Sequence, residues 1–187
     1  MSQIMRVALL ALLAVPSALA TPHGKTYVAN YDDLTWDELT PNPLPAGYKG
    51  LKYNIFQVDQ YDGFIQATSG IQYAMAFGGS GNITVNDPST SVTLKSFTYA
   101  CNAGVPQPEC AISMWGFKGK RLAAHQVITF PQLDSGHYPS EFVMNATTLG
   151  PKWSKLTSVG FSIARKDNGG EMYGGLMIDD LKYTISK

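Results

Sequence analysis

The stretch CAISMWGFKGKRLAAHQVITF, residues 110–130, decides the fold. Two runs rich in apolar and aromatic residues flank a short segment around Gly119, a residue type that tight turns favour. The pattern predicts an antiparallel hairpin. A short helix over residues 121–127 is the alternative for the second run, because RLAAHQV contains several helix-forming residues.

Short strand-like segments continue on both sides of this hairpin. Residues 51–58 alternate apolar and polar side chains, which predicts one half-buried strand. Turn residues at positions 86–88 separate two further strands, and residues 156–165 and 175–185 predict the last two. Only residues 139–149 offer another short helix. Many short strands with frequent turns predict an all-β fold, a single-domain antiparallel β-sandwich of jelly-roll type over residues 21–187.

The N-terminal segment MSQIMRVALLALLAVPSALA has the form of a secretory signal peptide. Arg6 precedes an apolar stretch too short to span a bilayer, and Ala18 and Ala20 supply small residues for cleavage. We therefore expect residues 1–20 to be removed, a mature chain from Thr21, and a secreted, extracellular protein. Since no other stretch is apolar enough to anchor the chain, we expect no membrane partner.

The charge balance excludes one large class of partners. The chain has 14 basic and 14 acidic residues and no basic run, so it lacks the electrostatic footprint of a nucleic-acid-binding protein. We expect a monomer.

The only two cysteines, Cys101 and Cys110, are separated by eight residues. In a secreted chain they are expected to form a disulfide that closes a proline-containing loop. A redox-active pair is the weaker alternative, because such pairs favour two intervening residues. Asn82 and Asn145 open N-glycosylation sequons, which predicts surface positions for both.

Several motifs together resemble a group of secreted fungal proteins of mostly unassigned function. These are YDDL at residues 31–34, PLPAGYKGLKY at 43–53, the cysteine-bounded hairpin, and GLMIDDLKYTI at 175–185. That group is similar to galactose-binding-like jelly rolls and carbohydrate-binding modules. The resemblance covers nearly all of residues 30–185 and implies the same β-sandwich fold.

Two acidic pairs lie near the two ends of the mature chain: Asp32 with Asp33, and Asp179 with Asp180. Jelly rolls often place their first and last strands side by side. Four carboxylates brought together there would repel one another unless a cation or hydrogen-bond donors compensate them. The resemblance to carbohydrate-binding jelly rolls implies a structural calcium, which takes oxygen ligands. The alternative is that each aspartate accepts backbone N–H bonds.

Aromatic residues in polar or proline-rich surroundings are candidates for contact with sugar rings. Trp36, Tyr48, and Tyr61 with its neighbour Asp62 combine an apolar plane with polar groups. The alternative is that these rings belong to the core. Trp115, inside an alternating strand, is expected to be a core residue.

No motif of a known catalytic class is present, and the three histidines lie far apart in the sequence. We therefore expect a non-catalytic protein that recognises an extracellular glycan or cell-wall polysaccharide. One alternative is an effector that acts on a host extracellular protein, such as an inhibitor of a host enzyme. Another is a small glycoside hydrolase or polysaccharide lyase, which requires a pair of carboxylates in a cleft.

Overall fold

A computed structural model of the chain describes residues 24–60, 65–103, 108–133, 142–170, 172 and 174–187. The expected signal peptide, residues 1–20, lies outside these ranges. The candidate glycan-binding residues Tyr61 and Asp62 also lie outside them.

Eleven strands and two short 3₁₀ turns make up the regular structure of the described residues. The strands are β1 (Lys25–Ala29), β2 (Leu51–Asn54), β3 (Phe56–Gln60), β4 (Gln72–Phe77), β5 (Ser80–Val85), β6 (Ser91–Asn102), β7 (Cys110–Lys118), β8 (Arg121–Phe130), β9 (Asn145–Thr148), β10 (Ser158–Arg165) and β11 (Gly175–Ser186). The 3₁₀ turns are Tyr48–Gly50 and Pro151–Trp153. In the described part of the chain, no helix is long and apolar enough to cross a membrane.

The strands form two antiparallel sheets that pack into a β-sandwich. The six-stranded sheet has the order β3-β4-β11-β6-β9, and β1 also pairs with β11. The five-stranded sheet has the order β2-β5-β10-β7-β8. The predicted all-β sandwich is therefore confirmed.

The predicted hairpin is the pair β7 and β8, which run antiparallel from Cys110 opposite Phe130 to Lys118 opposite Arg121. The alternative of a helix over residues 121–127 is wrong, because that segment pairs with β7 along its length. The described part of residues 139–149 likewise forms strand β9 and no helix. In both places pairing with a neighbouring strand overrides the local helix propensity.

Alternate residues along the strands of the five-stranded sheet point into the core between the two sheets. In β7, Ile112 and Met114 are fully buried, so their neighbour Trp115 points to the outer face and is only half-buried. The expectation that Trp115 is a core residue is therefore wrong. The core tryptophan is Trp153, which is 0% exposed.

The single strand predicted over residues 51–58 is also wrong, because the chain changes sheets at Ile55. Strand β2 lies in the five-stranded sheet and β3 in the six-stranded sheet. Ile55 between them has a φ of 72° and a side chain that is 62% exposed. This backbone kink resets the alternation, so that Phe56 is buried directly after an exposed residue.

The disulfide between Cys101 and Cys110 is confirmed, with Cα atoms 6.5 Å apart. Cys101 lies in β6 of the six-stranded sheet and Cys110 begins β7 of the five-stranded sheet. The bond therefore joins the two sheets at one end of the sandwich. Both cysteines are fully buried.

The first and last strands of the described residues, β1 and β11, pair as predicted. Strand β1 runs antiparallel to the second half of β11, with Lys25 opposite Ile185 and Ala29 opposite Leu181. Strand β4 pairs with the first half of β11, from Gly175 to Ile178. Between the two partners, β11 has an irregular register at Asp179 and Asp180.

Candidate functional site

The two acidic pairs are tied to one connecting segment, residues 65–71, which precedes β4. Asp32 accepts hydrogen bonds from the backbone N–H groups of Ile71 and Gln72, at 3.1 and 3.2 Å. Asp179 accepts from the N–H groups of Thr68 and Ser69, both at 2.9 Å. The pairing of the chain ends therefore brings one aspartate of each pair to the same segment.

The other two aspartates accept bonds from side chains. Asp33 accepts a hydrogen bond from the Tyr48 hydroxyl at 2.5 Å and lies 3.5 Å from the Lys49 ammonium. The hydrogen bond from Tyr48 is the main reason that the pKa of Asp33 is lowered from its ordinary value. Asp180 accepts from the Ser69 hydroxyl at 2.9 Å.

Protein donors thus contact all four aspartates. Within the described ranges, no three acidic, histidine or cysteine side chains are grouped so as to hold a metal ion. Calcium binding at these aspartates stays a prediction, and the donors above show how the carboxylates are compensated by the chain itself.

Asp179 has the most unusual environment of the four, because its side chain is 0% exposed. Burial raises its pKa to about 6, although hydrogen bonds from backbone N–H groups act in the opposite direction. One oxygen accepts the bonds from Thr68 and Ser69, and the other accepts the N–H of Asp180 at 2.7 Å. This carboxyl group therefore supports the backbone where β11 has neither β1 nor β4 beside it.

The predicted sugar-binding loop offers fewer ring faces than its sequence indicates. Tyr48 is only 9% exposed, and its ring stacks on Tyr31 with centroids 5.7 Å apart. Tyr53 packs against both rings. Trp36 is half-buried and packs against the core. Tyr48 is therefore part of a buried aromatic cluster, and its ring is not a surface platform.

The outer face of the five-stranded sheet carries an arrangement that the sequence did not reveal. Asn54 is opposite Asn82, Asn82 is opposite Gly160, Gly160 is opposite Trp115, and Trp115 is opposite His125. These five residues form one line across all five strands, and we call them the cross-strand row. The row thus has an aromatic pair, Trp115 and His125, at one end and two amide side chains, Asn54 and Asn82, at the other.

Trp115 lies between His125 and Gly160 in this row. Its ring stacks with that of His125, with centroids 5.9 Å apart and an interplanar angle of 21°. On the other side, a Cβ atom added to Gly160 would lie 3.8 Å from the indole Cε3. Because Gly160 has no side chain, no side chain of the row stands between Trp115 and Asn82.

Asn82 lies in β5, the second strand of the five-stranded sheet. It is half-buried, and its Oδ1 is covered and has no hydrogen-bond partner among the described residues. The sequon, which is predicted to lie at the surface, thus lies on the outer face of the five-stranded sheet. The second sequon, Asn145, lies at the start of β9 in the six-stranded sheet, where it is half-buried.

The face around the row is rich in hydroxyl groups and its strands carry no carboxylate. The five strands contain no aspartate and no glutamate, and their charged residues are Lys52, Lys118, Arg121 and Arg165. The outward positions that alternate with buried core residues include several serines and threonines: Ser80, Thr84, Ser113, Thr129, Ser158 and Ser162. Such a surface offers hydrogen-bond donors and acceptors, and its fixed charges are basic.

A cavity of about 690 Å³ at the end of the sandwich is a second candidate. Its walls combine apolar side chains with two serines: Met75, Phe77, Ile163, Met172, Ser80 and Ser162. Phe77 is 46% exposed. A smaller cavity of about 240 Å³ lies beside Gly70 and Ile71, in the segment that the aspartates hold.

The sequence matches no protein-family model, and no curated protein matches it. Among solved structures, it is similar to a DUF4465 family protein from Bacteroides caccae, with 13% identity over 87% of this chain and 100% of that one, and a TM-score of 0.57. It is also similar to the K2 cleaved adhesin domain of Lys-gingipain (13% identity, 86% and 99% covered, TM-score 0.47). A third structure is the C-terminal CBM6 of a laminarinase from Zobellia galactanivorans (11% identity, 87% and 100% covered, TM-score 0.36).

At 13% identity, the likeness to the Bacteroides caccae protein supports the fold alone. The class that the sheets define is an antiparallel β-sandwich. The other two structures have TM-scores below 0.5.

Proposed function

We propose that this protein is an extracellular, non-catalytic binding protein that recognises a polysaccharide on the outer face of its five-stranded sheet. The observation that carries the proposal is the cross-strand row, in which Trp115 and His125 share a line with Asn82 and Asn54. An aromatic plane packs against the C–H face of a sugar ring, and amides bond to its hydroxyl groups.

The direction of the row favours an extended ligand. Neighbouring strands are about 4.8 Å apart, so the four intervals from β2 to β8 span about 19 Å. A chain of several sugars can therefore lie across the strands and contact both the aromatic and the amide side.

The lack of acidic residues in the five strands supports the non-catalytic part of the proposal. A glycosidase of the usual kind requires two carboxyl groups beside the scissile bond. Since these strands supply none, binding without cleavage is the better interpretation.

An extracellular location is supported by the disulfide, since such bonds persist in oxidising compartments. The signal-peptide pattern of residues 1–20 agrees with this location. N-terminal sequencing of the secreted protein is expected to begin at Thr21, and a chain that retains residues 1–20 would contradict it.

The test is retention of the protein, freed of N-glycans, on a panel of insoluble polysaccharides. Trp115→Ala is expected to weaken retention by roughly 5- to 150-fold, by analogy with the 1–3 kcal/mol that stacking on an aromatic side chain contributes. Its melting temperature should stay close to that of the unmodified sequence, because Trp115 lies outside the core.

The other two tryptophans are matched controls. Trp153→Ala is expected to cost about 3–5 kcal/mol of folding free energy, as a large-to-small change at a buried site. Trp36→Ala tests the loop predicted from the sequence. If Trp36→Ala abolishes retention and Trp115→Ala does not, the binding surface is the loop and the sheet face is not the site.

The host-protein alternative is tested with the same samples. Absence of retention on every polysaccharide, together with capture of a defined extracellular enzyme by the folded protein, would replace the glycan proposal with inhibition of that enzyme.

A further inference from the structure

The sequon at Asn82 lies inside the cross-strand row, which raises the question of where a glycan attached there would lie. Asn82, Ile83 and Thr84 belong to β5, so the asparagine and the threonine point to the same outer face. Any sugar on Asn82 therefore begins on the face that we propose binds polysaccharide.

The orientation of the Asn82 amide suits such an attachment. Its Oδ1 atom is covered, while the residue as a whole keeps partial exposure. Any exposed part of the amide is therefore on the Nδ2 side, and Nδ2 is the atom that carries an N-linked sugar.

The row has a glycine between Asn82 and Trp115. The neighbouring position on β10 is Gly160, and the next strand across carries Trp115. Two strand intervals, about 10 Å, separate the backbones of Asn82 and Trp115. Gly160 has no side chain, and a Cβ added there would lie 3.8 Å from the indole Cε3, so a group that lies over Gly160 contacts the indole.

We propose that the first N-acetylglucosamine of a glycan on Asn82 lies over Gly160 and packs against Trp115. A glycan in this position occupies the cross-strand row. Glycosylation of Asn82 then masks the face from external polysaccharide, and the fraction of chains without this glycan is the fraction that binds. The masking rests on the proposed function, whereas the contact with Trp115 does not.

The sequon at Asn145 provides an internal reference. It lies in β9, in the six-stranded sheet, and its side chain interacts with the Tyr99 hydroxyl. A glycan there begins on a different sheet from the cross-strand row and is expected to leave the row open.

The masking is tested with full-length protein secreted from a eukaryotic host and separated by glycan occupancy. Thr84→Ala removes the Asn82 sequon without changing a row residue, and Thr84→Ser is the matched control that preserves the sequon. We expect Thr84→Ala to bind polysaccharide at least tenfold better than Thr84→Ser carrying the glycan. Thr147→Ala, which removes only the Asn145 sequon, should change nothing.

The contact itself is tested by enzymatic release of glycans from the folded protein, followed by mass spectrometry of each site. Release at Asn82 should be slow and should become several-fold faster in Trp115→Ala, while release at Asn145 stays the same. An unglycosylated Asn82, or release at Asn82 that is independent of Trp115, would overturn the proposed contact.

The two readouts separate the two proposals. Equal binding by the Thr84→Ala and glycosylated Thr84→Ser proteins overturns the masking and leaves the binding function intact. Slow, Trp115-dependent release at Asn82 without polysaccharide binding by any variant supports the contact and overturns the proposed function.

Discussion

Asp179 shows how one side chain completes a sheet where strand pairing stops. Strand β4 pairs with β11 as far as Ile178, and β1 begins its pairing at Leu181. In the gap, the Asp179 carboxyl group accepts the backbone N–H groups of Thr68 and Ser69. A buried N–H group without a partner costs about 1–3 kcal/mol, so this carboxyl group compensates a local defect of the sheet.

The burial of Asp179 predicts an unusual pH dependence of stability. Its pKa in the folded protein is about 6, above the ordinary 3.8. Between these values the folded state binds more protons than the unfolded state, so the free energy of unfolding falls as pH rises from about 4 to about 6. Two pKa units correspond to about 3 kcal/mol at most. Denaturant unfolding at pH 4, 5, 6 and 7 measures this slope.

Asp179→Asn is the variant for the same measurement. It should remove the slope between pH 4 and 6. At pH 7 it should also destabilise the protein, because an amide NH₂ would face a backbone N–H donor. Asp33, whose pKa is lowered, contributes stability that is constant above about pH 4 and is lost as the pH falls further, so it adds no slope between pH 4 and 6. A slope that survives in Asp179→Asn would contradict the assignment, and repeating the series with calcium and with a chelator tests the predicted calcium site.

For single residues, the sequence predicted which segments meet better than which side of a strand each side chain occupies. The pairing of the chain ends, which brings Asp32 and Asp179 to one segment, followed from the places of the two acidic pairs in the sequence. The environment of each tryptophan did not, because Trp115 and its buried neighbour Met114 differ only in which side of β7 they occupy. Alternation gives two faces, but tertiary packing decides which face is inside.

At the level of elements, the β7–β8 hairpin could be predicted because both strands and the turn are contiguous in sequence. The change of sheet between β2 and β3 could not. Ile55 adopts a positive φ that β-branched residues disfavour, so the local sequence gives no signal for it. Leu51 and Tyr53, before the kink, are buried in the five-stranded sheet. Phe56 and Val58, after it, are buried in the six-stranded sheet, so the kink allows both pairs to face the core.

The disulfide is the covalent link between β6 and β7, and therefore between the sheets. The double variant Cys101→Ala with Cys110→Ala is expected to lower the free energy of unfolding by about 2.5 kcal/mol, from the entropy of closing so short a loop. The strand content should persist, because each strand keeps its neighbours. Denaturant unfolding followed by circular dichroism checks both points; an unchanged midpoint, or loss of the fold, would contradict this role.

For the whole molecule, the candidate site depends on register and could not be found from the sequence. The row joins Asn54, Asn82, Trp115, His125 and Gly160, which are spread over more than half of the chain. They become neighbours only because β2, β5, β10, β7 and β8 are adjacent in that order. The sequence favours the loop around Trp36 and Tyr48 as the binding site, because its aromatic and polar residues are contiguous. In the structure, however, Tyr48 belongs to the buried aromatic cluster.

The most direct measurement is the change in backbone amide chemical shifts when an oligosaccharide, taken from a polysaccharide that retains the protein, is titrated into the unglycosylated protein. We predict that the largest changes fall on β5, β10, β7 and β8 around Asn82, Gly160, Trp115 and His125. Changes concentrated instead around Phe77 and Met172 in the end cavity, or around Gly70 and Ile71, would contradict the assignment of the binding surface to the five-stranded sheet.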